Sequence, residues 1–252
     1  MENLTLGWGM DPVWLVYYLL ITFGAFVVAS TLGIGGPLIL IPALMIRMPP
    51  AQAVAVVAPI MLVNGLLKLW VFRECLDLRA AGLTCLSALP VALVAAAFTG
   101  RVDARLLRIG IGVIILVVLA LRYGYQISPV VRERGLLGWG ALIGAIGGFV
   151  GTAGPLLALS IHGYGLSRQR FVATVAAAQA AIQLVRLPTY LGTSTLPLGL
   201  LPLALLLATV AASAVFVARA LLARMQVAQF QRLLDGFLLL IAVWLIGRAV
   251  TG

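Results

Sequence analysis

Apolar residues run along this chain in long, nearly unbroken stretches separated by short polar punctuation. The stretches are Trp14 to Leu32, Ala51 to Phe72, Ala80 to Thr99, Leu106 to Leu121, Leu136 to Phe149, Phe171 to Leu191, Leu198 to Val217 and Phe230 to Ile246. Most approach the roughly 20 residues a helix needs to cross a bilayer core. Eight membrane crossings are expected, with little chain left for a soluble domain. The polar segment Arg122 to Arg134, with a tyrosine pair, a Ser-Pro and four charges, divides the pattern into halves. It sets three regions: a first transmembrane repeat (1–121), a linker (122–134) and a second repeat (135–252).

The halves repeat. GIGGPLILIPALM, Gly33 to Met45, returns as GTAGPLLALSIHG, Gly151 to Gly163, at an offset of 118 residues. Without a gap the same offset places Ala55 on Ala173, Phe98 on Phe216, Arg101 on Arg219 and Lys68 on Arg186. A duplicated membrane unit with an interrupted helix in each copy is a pattern of secondary transporters. The fold expected is all-α and integral to the membrane: about eight transmembrane helices in two homologous four-helix repeats, each with a Gly-Pro-interrupted short helix. Pro37 to Ile46 and Pro155 to His162 are too short to span, which leaves half-helices or kinked extensions of the preceding helix. If they count as crossings the halves are inverted, and otherwise they are parallel.

Composition agrees with the pattern. Hydrophobic residues make up 63% of the 252 and charged residues 10%, far from a soluble average. The formal charge of +10 lies between the apolar spans, so retention of positive loops in the cytoplasm accounts for it, and no aromatic-interleaved basic patch points to nucleic acid. An eight-crossing scheme puts Arg47, Arg101, Arg105, Arg108, Arg168, Arg170, Arg219, Arg224 and Arg232 on one side. The other side takes Arg73, Arg79, Arg122, Arg132, Arg134 and Arg248, so the first is expected to be cytoplasmic and both termini to face outward. The first span lacks the positive flank of a signal peptide and is read as a permanent helix. Cys75 and Cys85 are read as unpaired thiols, and no Cys/His cluster indicates a metal or other cofactor.

Chemistry concentrates at the breaks and behind them. Glycine and proline leave backbone groups unpaired, which hydrocarbon tolerates only where they pack in protein or line a wet cavity. Pro37 and Pro155 suit a first helical position, where free amides and the helix dipole favour an anion. Gly140, Gly144 and Gly148, at fourfold spacing, read instead as helix packing contacts. Lys68, with Asn64 one turn before it, and Arg186, sharing a face with Gln179 and Gln183, are matched cations set deep in their spans. An inward role for them on an anionic ligand is the functional expectation, with snorkelling to the interface as the bland one. His162 and Asp235 are the acid–base candidates for proton coupling. Asp235 is expected to pair with Arg232, and His162 has only Leu44 opposite it in the first copy. Ser160 and His162 are two apart on a helix and point away from each other, so no enzyme is expected.

With GIGGPLILIP, its second copy and the doubled plan in hand, the chain resembles the TauE/SafE family of sulfite and organosulfonate exporters. The resemblance implies a multi-pass transporter of the plasma (inner) membrane for sulfite or related sulfur-containing anions. It carries over onto Gly33, Gly35, Gly36 and Pro37, and onto Gly151, Gly154 and Pro155, with Ala153 standing where the first copy has Gly35. The partners expected are a small anion and the lipid bilayer, with self-association into a homo-oligomer left open. A selective anion channel, or a carrier of another small organic anion, is the alternative.

Overall fold

The computed structural model describes residues 11–32, 36–123, 131–222 and 227–251, and among them the protein is helical, without strands. Ten α-helices follow in order: α1 (Pro12–Leu32), α2 (Gly36–Leu44), α3 (Pro50–Phe72), α4 (Leu78–Thr99), α5 (Ala104–Tyr123), α6 (Glu133–Val150), α7 (Gly154–Gly163), α8 (Arg168–Gly192), α9 (Leu201–Leu222) and α10 (Val227–Thr251). Among the described residues, three stretches are long and apolar enough to cross a membrane: Pro50–Cys75, Leu78–Thr99 and Gln169–Gly192. Pro12–Val28, Leu198–Ala214 and Leu238–Ala249 are shorter apolar helical stretches.

Large apolar side chains point outward as well as inward. Leu20, Trp70, Leu86, Phe216 and Leu240 are each about two-thirds exposed, while the largest fully buried side chain is that of Arg186. Apolar side chains on both the inner and the outer face suit a lipid exterior, since apolar surface needs no cover from hydrocarbon and a polar group does.

Local sequence sets the ends that matter. α6 stops because Gly151 turns to φ 89°, ψ −15°, a left-handed cap whose N–H returns to the Gly147 carbonyl. Only glycine fits there: a Cβ would meet Ile41 Cδ1 at 2.9 Å and Val54 Cγ1 at 3.0 Å, besides the strain of positive φ. Pro155 then opens α7 in its first turn. The second break therefore yields a separate short helix rather than a kinked extension. Gly163 O accepts from Val131 N–H just before α6, so α7 returns to the level where α6 began. The two helices form a hairpin with a buried tip at 151–153.

Glycines pack α6 onto α4, as their spacing predicts. A Cβ on Gly140 would strike Ser87 Oγ and the Thr84 carbonyl, on Gly144 the Ala88 carbonyl, and on Gly148 the Ala95 Cβ. The paired positions rise together, so α4 and α6 are parallel. α3 and α8 are antiparallel instead. Val54, early in α3, touches Gly151, which is held by Arg186 late in α8, whereas Gly65 packs on Ala176 and Ala180, and Cys75 and Asp77 beyond α3 reach Gln169, Arg170 and Thr174.

This direction corrects the charge sides. Arg170 pairs with Asp77 at 3.0 Å, and Arg79 with Glu133 at 2.8 Å, so the start of α8 lies with the α3–α4 turn and the start of α6. Arg168 and Arg170 thus belong with Arg73 and Arg79, and the nine-to-six division drawn from the sequence does not hold. It failed because chain order alone cannot say that α7 carries the chain back before α8 begins. Below, the two extremities are called the Asp77 end and the Arg101 end.

Candidate functional site

The tip of the α6–α7 hairpin is gripped by α8. Arg186, 1% exposed, donates from NH1 to the Gly151 carbonyl at 3.2 Å and to Gln183 Oε1 at 2.8 Å. Its Nε and NH2 both donate to the Tyr190 hydroxyl, at 3.2 and 2.6 Å, and that hydroxyl donates to the Gly148 carbonyl at 2.9 Å. From α4, Thr99 Oγ1 adds a second bond to the same carbonyl at 3.0 Å. The unpaired carbonyls at the end of α6 are thus met by two side chains one turn apart on α8 and by one at the end of α4.

The charge is left over. A guanidinium has five N–H donors, and four are aimed at protein acceptors, so one on NH2 is unspent. Every one of those acceptors is neutral, and among the described residues no carboxylate pairs with Arg186. A buried cation without a counter-charge is strongly disfavoured, so the tip has the chemistry to accept an anion.

Gln183 supplies the matching donors. It is 1% exposed, its Oε1 faces Arg186, and its buried Nε2 has no hydrogen-bond partner. Rotating the amide by half a turn would set N–H against N–H, so the arginine fixes which end is free. Gln179, one turn earlier and also buried, lies beside α7: a Cβ on Gly154 would sit 3.9 Å from both Gln179 Oε1 and Thr152 Oγ1. Gly154 and Pro155 are half-buried there, and Ala153, the N-cap of α7, offers no side-chain cap to its amides. The site gathers a helix N-terminus, two amides, a hydroxyl and an uncompensated cation.

The first-copy residues lie elsewhere or out of view. Gly36 and Pro37 are buried at the start of α2, while Gly33 and Gly35 are outside the described residues. Asn64 is buried with Oδ1 unpartnered, and Lys68 is half-buried. Because α3 and α8 are antiparallel, the 14 residues from Val54 to Lys68 put Lys68 about 20 Å from the Arg186 level. The two cations do not meet, and the forked donor expected of Arg186 is largely spent on protein. His162 is exposed at the far end of α7, edge-on to Phe171 with ring centroids 6.1 Å apart, about 12 Å along the helix from the tip. Ser160 donates to the Leu157 carbonyl at 2.9 Å, within its own helix. The pair expected between Arg232 and Asp235 falls on side chains outside the described residues.

Tyr190 and Thr99 were not singled out from the sequence. The spacing of Tyr190, four after Arg186 on the same helix face, was the available signal; for Thr99 there was none.

A model of the family described as Sulfite exporter TauE/SafE matches residues 18–245 of the chain. No match was found among curated proteins or among solved structures.

Proposed function

The chain belongs to the TauE/SafE family of sulfite exporters, and from that premise we propose that it is a secondary transporter moving a small sulfur-containing anion, such as sulfite or an organosulfonate, out across the plasma membrane. The observation that carries this reading is the buried Arg186 charge, met only by neutral acceptors, beside the unpartnered Gln183 amide at a helix break. Backbone amides of α7, the donors of Gln179 and Gln183, and the remaining guanidinium N–H hold the anion, with Gly151, Gly154 and Pro155 shaping its approach.

The molecule is read as two inverted repeats, 1–121 and 135–252, joined by 122–134. Matched packing supports this: α4 lies on α6 as α9 lies on α1, and α4 lies on α8 as α9 lies on α3. Antiparallel α3 and α8, which correspond at the 118-residue offset, favour the inverted relation. By that relation Gly33, Gly35, Gly36, Pro37, Asn64 and Lys68 form a second, chemically different half-site on the first repeat.

Helix directions support an orientation. Among the described residues, Arg73, Arg79, Arg122, Arg132, Arg134, Arg168, Arg170, Arg219 and Arg232 belong to the Asp77 end, nine against the five of Arg47, Arg101, Arg105, Arg108 and Arg248, while Arg224 lies outside the described residues. The Asp77 end is then cytoplasmic. The membrane potential suffices to drive export, at about 2.3 kcal/mol per 100 mV for each negative charge leaving. His162 stands away from the tip and takes no part in this scheme.

Purified protein in liposomes, offered sulfite, sulfonates, sulfate and carboxylates with and without a proton gradient, tests the reading. Saturable sulfite or sulfonate flux that follows the imposed potential is expected. Flux restricted to carboxylates, or none, would overturn it.

A further inference from the structure

At the Arg101 end a cavity of about 440 Å³ opens between three connections: the start of α3, the end of α4 and the α8–α9 turn. Its polar lining is Gln52, Arg101, Thr193, Ser194 and Thr195. We propose that this cavity is a second anion site, an outer vestibule that holds a small hydrated oxyanion before or after it visits the hairpin tip. Its volume is many times the ~10–15 Å³ that a single bound water needs, so the anion keeps part of its hydration shell.

Two independent observations carry the assignment. The first is electrostatic. Arg101 lines the cavity together with Ala51 and Gln52 of the first turn of α3, and among the described residues no carboxylate lines it. Pro49, the N-cap of α3, gives that turn no side-chain cap, so the positive end of the α3 dipole lies uncapped beside the space, with Ala51 and Gln52 carrying the N–H groups of that turn that prolines 49 and 50 lack. The second comes from the other end of the molecule. At the 118-residue offset, Thr195 corresponds to Asp77 and Gln52 to Arg170. There the protein supplies its own anion: the Asp77 carboxylate caps α4, accepting from Ala80 N–H at 2.9 Å, and pairs at 3.0 Å with Arg170 from the first turn of α8. At the Arg101 end that carboxylate is a threonine, its hydroxyl 2.9 Å from that of Thr193, and the corresponding place is open. One position in the fold is thus plugged by a carboxylate at one end and left for an external anion at the other.

Position favours passage to the tip. Gln52 is two residues from Val54, which touches Gly151, and Gly192 is six residues after Arg186. The role in transport rests on the proposed function, but occupancy can be read without any flux.

The test uses Ser194→Cys in full-length protein whose Cys75 and Cys85 are replaced by serine, held in detergent. Rates of alkylation by iodoacetate and by neutral iodoacetamide are compared with those of a free cysteine. A ratio raised several-fold toward iodoacetate, slowed by millimolar sulfate, and returned to the free-thiol value by either Arg101→Gln or Thr195→Asp is expected. A ratio at or below the free-thiol value, or no protection by sulfate, would overturn the site. Melting and gel-filtration profiles equal to the parent ensure that the variants report chemistry rather than unfolding. A flat flux assay beside a raised alkylation ratio would count against the transport reading and leave the vestibule standing.

Discussion

At the scale of single residues, Arg186 acts as a clamp and as a source of charge, and the two roles separate by substitution. Tyr190→Phe removes an oxygen that accepts twice from Arg186 and donates to Gly148, so it should cost about 1–3 kcal/mol in a melting assay. Arg186→Lys keeps the charge but not the fork that reaches Gly151, Gln183 and Tyr190 together, so it should lower the melting temperature and not restore transport. Gly151→Ala should cost at least about 1–2 kcal/mol from positive φ alone, with the Ile41 and Val54 contacts adding to it. Part of this was legible: the GTAGP break, Gln183 and Arg186 stand out in the sequence. That the guanidinium would also be spent on the Gly151 carbonyl was not, since that partner lies across a tertiary contact, whereas Tyr190 stands one turn on along the same helix.

At the scale of elements, the glycine ladder of α6 fixes how deeply the hairpin sits against α4. Gly144 lies on the Ala88 carbonyl, where even a methyl must push backbone aside. Gly144→Leu should therefore destabilise the protein by more than the usual 1–3 kcal/mol of overpacking and lower its yield in the membrane, measurable by fluorescence-detected gel filtration. The fourfold glycine spacing announced this contact. The direction of α8 was not announced, because an offset between repeats preserves position along a helix but says nothing of which way the helix runs. That depends on whether α7 returns the chain, and the bond from Val131 N–H to Gly163 O is a tertiary fact.

For the whole molecule, the helical membrane class was evident from the apolar stretches and the composition, and the family from the doubled motif. The arrangement of ends was misjudged: Arg168 and Arg170 join Arg73 and Arg79. The orientation proposed from this makes Gln169 cytoplasmic and Ser194 external. Single cysteines at these positions, in a cysteine-free background in intact cells, should react with an impermeant maleimide only at 194. Reaction at 169 alone would reverse the orientation.

The central claim, that the Arg186 charge at the hairpin tip is there for a transported anion, is tested most directly by sulfite flux in proteoliposomes bearing Gln183→Glu. Glutamate keeps the size of the side chain and its bond to Arg186 NH1 while supplying a carboxylate and removing the free amide donors. The account predicts a protein that melts no lower than the parent yet carries less than about a tenth of its flux, because an internal anion occupies the site and a loss of ~1.4 kcal/mol in binding already means tenfold. Flux equal to the parent in this well-folded variant would contradict it.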